Sequence, residues 1–490
     1  MKTGSKALLL ILLGFGALAP RAFAQSPGTF TATGNMTTPR GWHTATLLPD
    51  GRVLIAGGGD LVPLKALASA ELYDPSTGIF TATGNMTVGR LDHTATLLAN
   101  GKVLIAGGDG SGQTPSATGG FHLTAELYDP TTGTFAPTGN MIVDGGFEYA
   151  AALLPDGRVL FVAADTDRAA AQIYDPSTGS FAAAATPVAA SIQDNSATLL
   201  PNGQVLIAQS DELRGELYDP PTNTFFPTFF PRQPWVQGPA ALLLTGEVLM
   251  PGGFDDTLDD RSAQATVYDP SIEIFRQTGN MTVIRTYHTA TLLPDGTVLI
   301  AGGDVGPDIN VTTNFTELYN PAAGAFTRAA DMAGNRELHT ATLLNNGEVL
   351  VAGGFIEEAY GPVTNSSAEL YTPASLIPAP VLFSLSGSGQ GTGAIWHSST
   401  GAIVSAGNPA IAGEALSMYT VNLSKAGIVP PQVVVGGQMA QVLYFGAAPG
   451  YPGYYQVNFT VPSGLASGPA TPVLLSFIGR FSNGVTVAVQ

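Results

Sequence analysis

One nine-residue phrase is written seven times along this chain. "HTATLLPDG" at His43 returns as "HTATLLANG" at His93, "YAAALLPDG" at Tyr149 and "NSATLLPNG" at Asn195. It returns again as "GPAALLLTG" at Gly238, "HTATLLPDG" at His288 and "HTATLLNNG" at His339. The copies stand about 49 residues apart, a period that belongs to stacked supersecondary units rather than to a single folded core. Each unit has four parts. "HTATLL" is β-branched and aliphatic, and Asp-Gly or Asn-Gly then supplies a two-residue hairpin turn. "VLIAGG" reads as a second strand ending in paired glycines, and a loop of variable length follows. "AELYDP" is a third strand, and "STGIFTATGNM" supplies a turn and a fourth. Four short antiparallel strands per unit predict a radially repeated all-β array.

The ends of the array predict how it closes. The last unit stops at "AELYTP" without a fourth strand, while an orphan fourth strand, "GTFTATGNM", stands ahead of the first unit at Gly28–Met36. Pairing the two removes two open edges at once.

The double glycine, the "YDP" and the Arg-x-x-His before the first strand resemble kelch repeats. The resemblance covers about residues 28–373 and implies a seven-bladed β-propeller, closed by the N-terminal strand, with "HTATLL" innermost. Residues 374–380 read as a linker. Residues 381–490 alternate short β runs with Gly and Pro turns, among them "AIVSAG", "QVVVGG" and "YYQVNFTVP", which predicts an Ig-like β-sandwich. The stretch "YFGAAPGYPGYYQVNFTVPSGLASG" resembles a C-terminal domain that recurs in exported acidobacterial (Solibacter-type) proteins.

Residues 1–24 read as a signal peptide: Lys2 and Lys6, then "ALLLILLGFGALA", then small residues at Ala22 and Ala24. Its removal takes Lys2, Lys6 and Arg21 and moves the formal charge from −18 to −21. The expected product is a secreted monomer without a transmembrane segment. So acidic a chain lacks the basic footprint that nucleic acid needs. It has no cysteine, which excludes disulfides, thiolate metal sites and cysteine nucleophiles.

Candidate chemistry falls in three groups. The pairs Arg40/His43, Arg90/His93, Arg285/His288 and Arg336/His339 follow the repeat template, and three units place Tyr149, Asn195 and Gly238 at the histidine position. They are therefore read as structural. The loops after the glycine pairs differ, and function on a repeat scaffold gathers in such differences. Asp60, Asp109, Asp165, Asp211 and Asp304 open five of them, His122 lies in the longest, Asp109 to Thr124, and Glu357, Glu358 and Tyr360 lie in that from Phe355 to Ser367. These are the binding-face candidates. Asp255, Asp256, Asp259 and Asp260 crowd one loop and suit Ca²⁺, which prefers many oxygen ligands. No nucleophile elbow, phosphate loop or EF-hand is present.

Galactose oxidase also joins kelch blades to an Ig-like domain, but its copper-radical cofactor needs a cysteine cross-linked to a tyrosine. The resemblance therefore implies the scaffold without that cofactor. The expectation is an exported, non-enzymatic protein whose propeller face engages a glycan or a protein. A carbohydrate-active enzyme using loop carboxylates and a structural envelope protein are the alternatives.

Overall fold

The structure, a computed structural model, describes residues 28–490 except 62–63, 111–122, 144–148, 166–167, 189–195, 209–213, 230–238, 256–259, 307–310, 359–360 and 424–427. Among the described residues every regular element is a strand. No helix there is long and apolar enough to cross a membrane.

Each repeat folds into antiparallel strands for reasons its sequence carries. In the first, Thr44–Leu47 and Val53–Ala56 meet across the Asp50-Gly51 turn, where Gly51 takes a φ of 89°. Val53–Ala56 is buried at all four positions, as a strand covered on both faces must be. It pairs with Ala70–Asp74, which pairs in turn with Ile79–Ala82. The same order recurs in the sheets that begin at Thr94, Tyr149 and Thr289. The sets that begin at Ser196 and Ala241 are merged into one eight-stranded sheet by a single parallel pairing, Phe229 with Ile274. The last set takes its outer strand from the other end of the array: Thr29–Ala32 pairs with Ala368–Thr372, from Thr29↔Thr372 to Ala32↔Glu369.

Successive sets pack face to face over apolar clusters. Leu48, Leu54 and Ala56 meet Val103, Ile105 and Tyr128, and equivalent clusters fill the following junctions. Val53, Ile55 and Tyr73 meet Leu344, Leu350 and Ala352, so the last set packs against the first. Tyrosines of the "YDP" element add a polar tie between sets. Tyr73, Tyr128, Tyr174 and Tyr319 reach Thr33, Thr83, Thr138 and Thr278 at 2.8–2.9 Å.

Beyond Pro380, two five-stranded sheets enclose one core. Leu416, Met418, Val457 and Phe459 come from one, and Val433, Val435, Val473 and Leu475 from the other. The run "AIVSAG" contributes only isolated bridges, Trp396↔Ile403 and Ser405↔Asn408, rather than a strand. These sheets sit on the turn end of the repeats. Phe481 N–H donates to Asn345 Oδ1 (3.0 Å), Ile428 N–H to Leu244 O (3.0 Å), and Leu244 joins the C-terminal core. The segment read as a linker is held as well. Ala379 N–H donates to Asn345 O (2.8 Å), and buried Arg480 donates to Ile377 O.

Candidate binding face

The end of the repeats away from the C-terminal sheets carries the glycine pairs, the Arg-x-x-His motifs and the variable loops. Arg40 is fully buried and tied to its own sheet. Its Nη1 donates to Gly57 O (2.6 Å) and Ser69 O (3.0 Å), and its Nη2 to Glu71 Oε1 (2.9 Å). Glu71 also accepts the Thr37 and Thr38 N–H groups, which pins the segment leading into the motif. Arg90–Glu126 (3.2 Å), Arg285–Glu317 (3.0 Å) and Arg336–Glu369 (2.7 Å) repeat the pair. Burial pulls each guanidinium below its ordinary range, and the facing carboxylate opposes that shift. Where the sequence puts Gly146 or Trp235 at the arginine position, Gln172 or Thr266 stands at the glutamate position. Both charges are missing together in those two units, whereas the unit with Ile192 at the arginine position keeps a buried Glu216, which accepts the Val188 N–H (3.0 Å).

The histidines reach the preceding unit instead. His43 Nε2 lies 3.0 Å from Thr340 Oγ1, His93 Nε2 3.0 Å from Thr44 Oγ1, and His339 Nε2 3.2 Å from Thr289 Oγ1. The unit before His288 carries Pro239 at the threonine position, and His288 Nε2 donates to Pro251 O (2.9 Å) instead. Burial, reinforced by the neighbouring arginine, pushes His43, His93 and His288 down to about 3, and His339 well below its ordinary value. All four are neutral imidazoles at physiological pH.

The glycine pair makes room for these rings. A Cβ on Gly57 would stand 2.6 Å from His93 Cε1, one on Gly353 2.7 Å from His43 Cε1, and one on Gly107 2.8 Å from the Tyr149 ring. The pair is present in every unit whose successor places a ring at that position. It is Ala163-Ala164 and Gln209-Ser210 ahead of Asn195 and Gly238.

Between arginine and histidine lies a feature that the sequence reading passed over. Trp42, Asp92, Tyr287 and Leu338 each precede their histidine with φ between 51° and 55°, a left-handed backbone that costs a non-glycine residue about 1–2 kcal/mol. Their main chains are linked from unit to unit. Asp92 N–H donates to Trp42 O (3.2 Å), Trp42 N–H to Leu338 O (3.4 Å), and Leu338 N–H to Tyr287 O (3.1 Å). Tyr287 is 55% exposed and Asp92 is exposed, while Trp42 is half-buried with its ring 4.7 Å from that of Phe355. The only sequence signal was variability at a fixed place inside a repeated motif.

The acidic candidates are dispersed. Asp60 is exposed in a hairpin, Gly59–Leu61 with Leu64–Ala66, and accepts from the Thr364 hydroxyl. Asp109 is buried, with its backbone bridged to Leu91. Asp304, read as a binding-face candidate, is fully buried. Its Oδ1 accepts the Gly306 (3.1 Å) and Val311 (3.2 Å) N–H groups and shapes its own loop. The loop of Glu357 and Glu358 is a second hairpin, Phe355–Glu358 with Gly361–Thr364, in which Glu357 is half-buried beside Thr312. Asp165 pairs with Arg168, and Asp255 with Asp260, at the tips of strand hairpins by their backbones. His122, Asp211, Asp256, Asp259 and Tyr360 lie outside the described residues. Among the described residues, no three His, Asp or Glu side chains come together as a metal site would require.

No family model matches the chain, and no curated protein does. Among solved structures it is similar to a fungal alcohol oxidase of the AA5 family in complex with copper. The TM-score is 0.60 at 15% identity, covering 95% of this chain and 100% of that one. The likeness defines a class of fold, all-β and galactose-oxidase-like. The described residues bring together no cluster of three ligating side chains for the copper that the oxidase carries, and the chain has no cysteine to cross-link a tyrosine.

Proposed function

We propose that the chain is a seven-bladed kelch-type propeller over residues 28–373, followed by an Ig-like sandwich over 381–490. Residues 1–24 direct its export. It works by binding a glycan or a protein at the face opposite the sandwich, without catalysis. Two blades account for the eight-stranded sheet, and the contact between last and first sets supports closure. The observation that carries the binding reading is the left-handed rim. Four template-fixed positions hold four unlike side chains, Trp42, Asp92, Tyr287 and Leu338, on a left-handed backbone. Around them the titratable groups of the motif are committed to scaffolding, so this part of the face offers shape and hydrogen bonding rather than acid–base chemistry.

The test is a screen of the secreted form against a glycan microarray and a panel of purified envelope proteins, run beside an Asp92→Ala/Tyr287→Ala variant. A ligand bound by the parent and weakened at least about tenfold in the variant supports the reading, a loss of about 1.4 kcal/mol. A ligand held equally by both places the function elsewhere, and no ligand at all refutes it. Mass spectrometry of the secreted protein checks export separately, with Gln25 expected first.

A further inference from the structure

The outer face of one C-terminal sheet carries a second candidate site. Ala415–Val421 and Tyr455–Thr460 alternate strictly: Leu416, Met418, Thr420, Tyr455, Val457 and Phe459 are buried in the sandwich. The pleat therefore sends Ser417, Tyr419, Gln456 and Asn458 outward. Register sets Trp396 opposite Ser417, and Tyr419 opposite Gln456. A turn rich in Gly and Pro follows Val442–Ala447 and folds back over this face. Ala448 N–H donates to Tyr454 O (2.9 Å) and Tyr454 N–H to Tyr451 O (3.1 Å), with φ of 80° at Gly450 and 87° at Gly453. The result is a cleft of about 660 Å³ between Trp396, Tyr419, Tyr451, Tyr454 and Phe383. That volume suits a small-molecule or oligomer site.

The rings hold one another edge-on. Trp396 meets Tyr419 at 5.4 Å and 74°, and Tyr419 meets Tyr451 at 6.1 Å and 61°. In each contact the edge of one ring meets the face of the other. Tyr451 is 60% exposed and Tyr454 43%, an unusual outlay of large aromatic surface on a sheet face. Beside the rings lie the Ser398 and Ser417 hydroxyls, 2.7 Å apart, and Gln456, whose amide donates to Asn458 Oδ1 behind it (2.9 Å). Such groups can donate and accept at once. His397 also borders the cleft, but its nitrogens are engaged by Glu414 (2.5 Å) and Asn408 O (3.1 Å). Among the described residues, no lysine or arginine lines the cleft.

We propose that this cleft is a binding site for a neutral oligosaccharide. A pyranose has an apolar C–H face and a hydroxyl edge. Flat aromatic rings meet the first, and Ser398, Ser417 and Gln456 meet the second. A chain at −18, with no cation in the cleft, disfavours uronic or sulfated sugars. A proline-rich peptide also docks on aromatic rings, but it presents few groups that both donate and accept, and it would leave these polar groups unused.

Isothermal titration of the full secreted chain tests this with a fixed panel: gluco-, xylo-, manno- and chito-oligosaccharides, an oligogalacturonate and a polyproline peptide. Saturable binding of a neutral member is expected. Tyr451→Ala should weaken it at least about tenfold while leaving Tm unchanged, and Trp396→Ala should abolish it. Co-sedimentation with the matching insoluble polysaccharide separates a wall ligand from a soluble one. The Asp92→Ala/Tyr287→Ala variant should bind as the parent does, so failure of the rim and failure of the cleft are read apart. Heat only from the oligogalacturonate or the polyproline peptide, heat from none of the panel, or binding indifferent to Tyr451→Ala would each overturn the proposal.

Discussion

Glu317→Gln isolates what the buried ion pairs contribute. Arg285 and Glu317 are both 0% exposed, with Nη2 and Oε2 3.0 Å apart. Glutamine keeps an oxygen for the Thr282 N–H, which now donates to Oε1 at 2.8 Å. It removes the charge that faces the guanidinium, whose other bonded partners are the carbonyls of Gly302 (3.0 Å) and Phe315 (2.9 Å). Stranding one buried charge costs about 3–5 kcal/mol. Arg285→Met strands the carboxylate instead and falls in the same range. The double variant resembles the units with Gln172 and Thr266, which form their sheets without this pair. Its loss should fall short of the sum of the singles by about 2–3 kcal/mol. Urea unfolding at pH 7, followed by circular dichroism, measures all four corners of the cycle. Repeating it in 1 M salt should change the coupling little, because screening hardly reaches a buried pair. Single losses below about 1 kcal/mol, or strict additivity, would refute the reasoning.

Three further outcomes are expected. His43, His93 and His288 are held near 3 when folded, so the unfolded chain binds more protons between that value and about 6.5. Stability is then complete above about pH 6.5 and drains as the pH falls, by about 2 kcal/mol per histidine between pH 7 and 5; calorimetry should show Tm dropping over that window, and His93→Gln should flatten the slope. At Tyr287, glycine should leave the stability within about 1 kcal/mol of the parent because it accepts the left-handed backbone, whereas valine should cost about 1–2 kcal/mol more; equal Tm for the two would refute the strain assignment. Deleting residues 28–32 bares the edge of Ala368–Thr372, so a lower Tm and a dimer peak in size-exclusion chromatography are expected, and an unchanged monomer would count against closure by that strand.

Strands and turns were legible because they rest on local chemistry. Asp50-Gly51 can form its turn wherever it stands, and "VLIA" is apolar at every position because neighbours cover both faces. Asp304 was misread for the opposite reason. Its placement depends on Gly306 and Val311 folding back around its carboxylate, which composition does not announce. The rim was invisible because tryptophan, aspartate, tyrosine and leucine share no preference for positive φ; the surrounding bonds impose it. The aromatic cleft draws Phe383, Trp396, Tyr419 and Tyr451 from separate strands and turns, so no continuous motif carries it. Only the alternation of Ser417 and Tyr419 with buried neighbours hinted at an outward face.

The pairing of Thr29–Ala32 with Ala368–Thr372 also sets an order of events in time. The earliest strand among the described residues waits for the last strand of the repeats, more than three hundred residues later. Bringing such distant ends together costs about 3 kcal/mol more in chain entropy than closing a ten-residue loop. Every sheet between them can form from local sequence first, and the clasp must fasten last. Until it does, the nascent protein has two sticky borders, and a slow or interrupted synthesis would leave it open to pairing with its own copies.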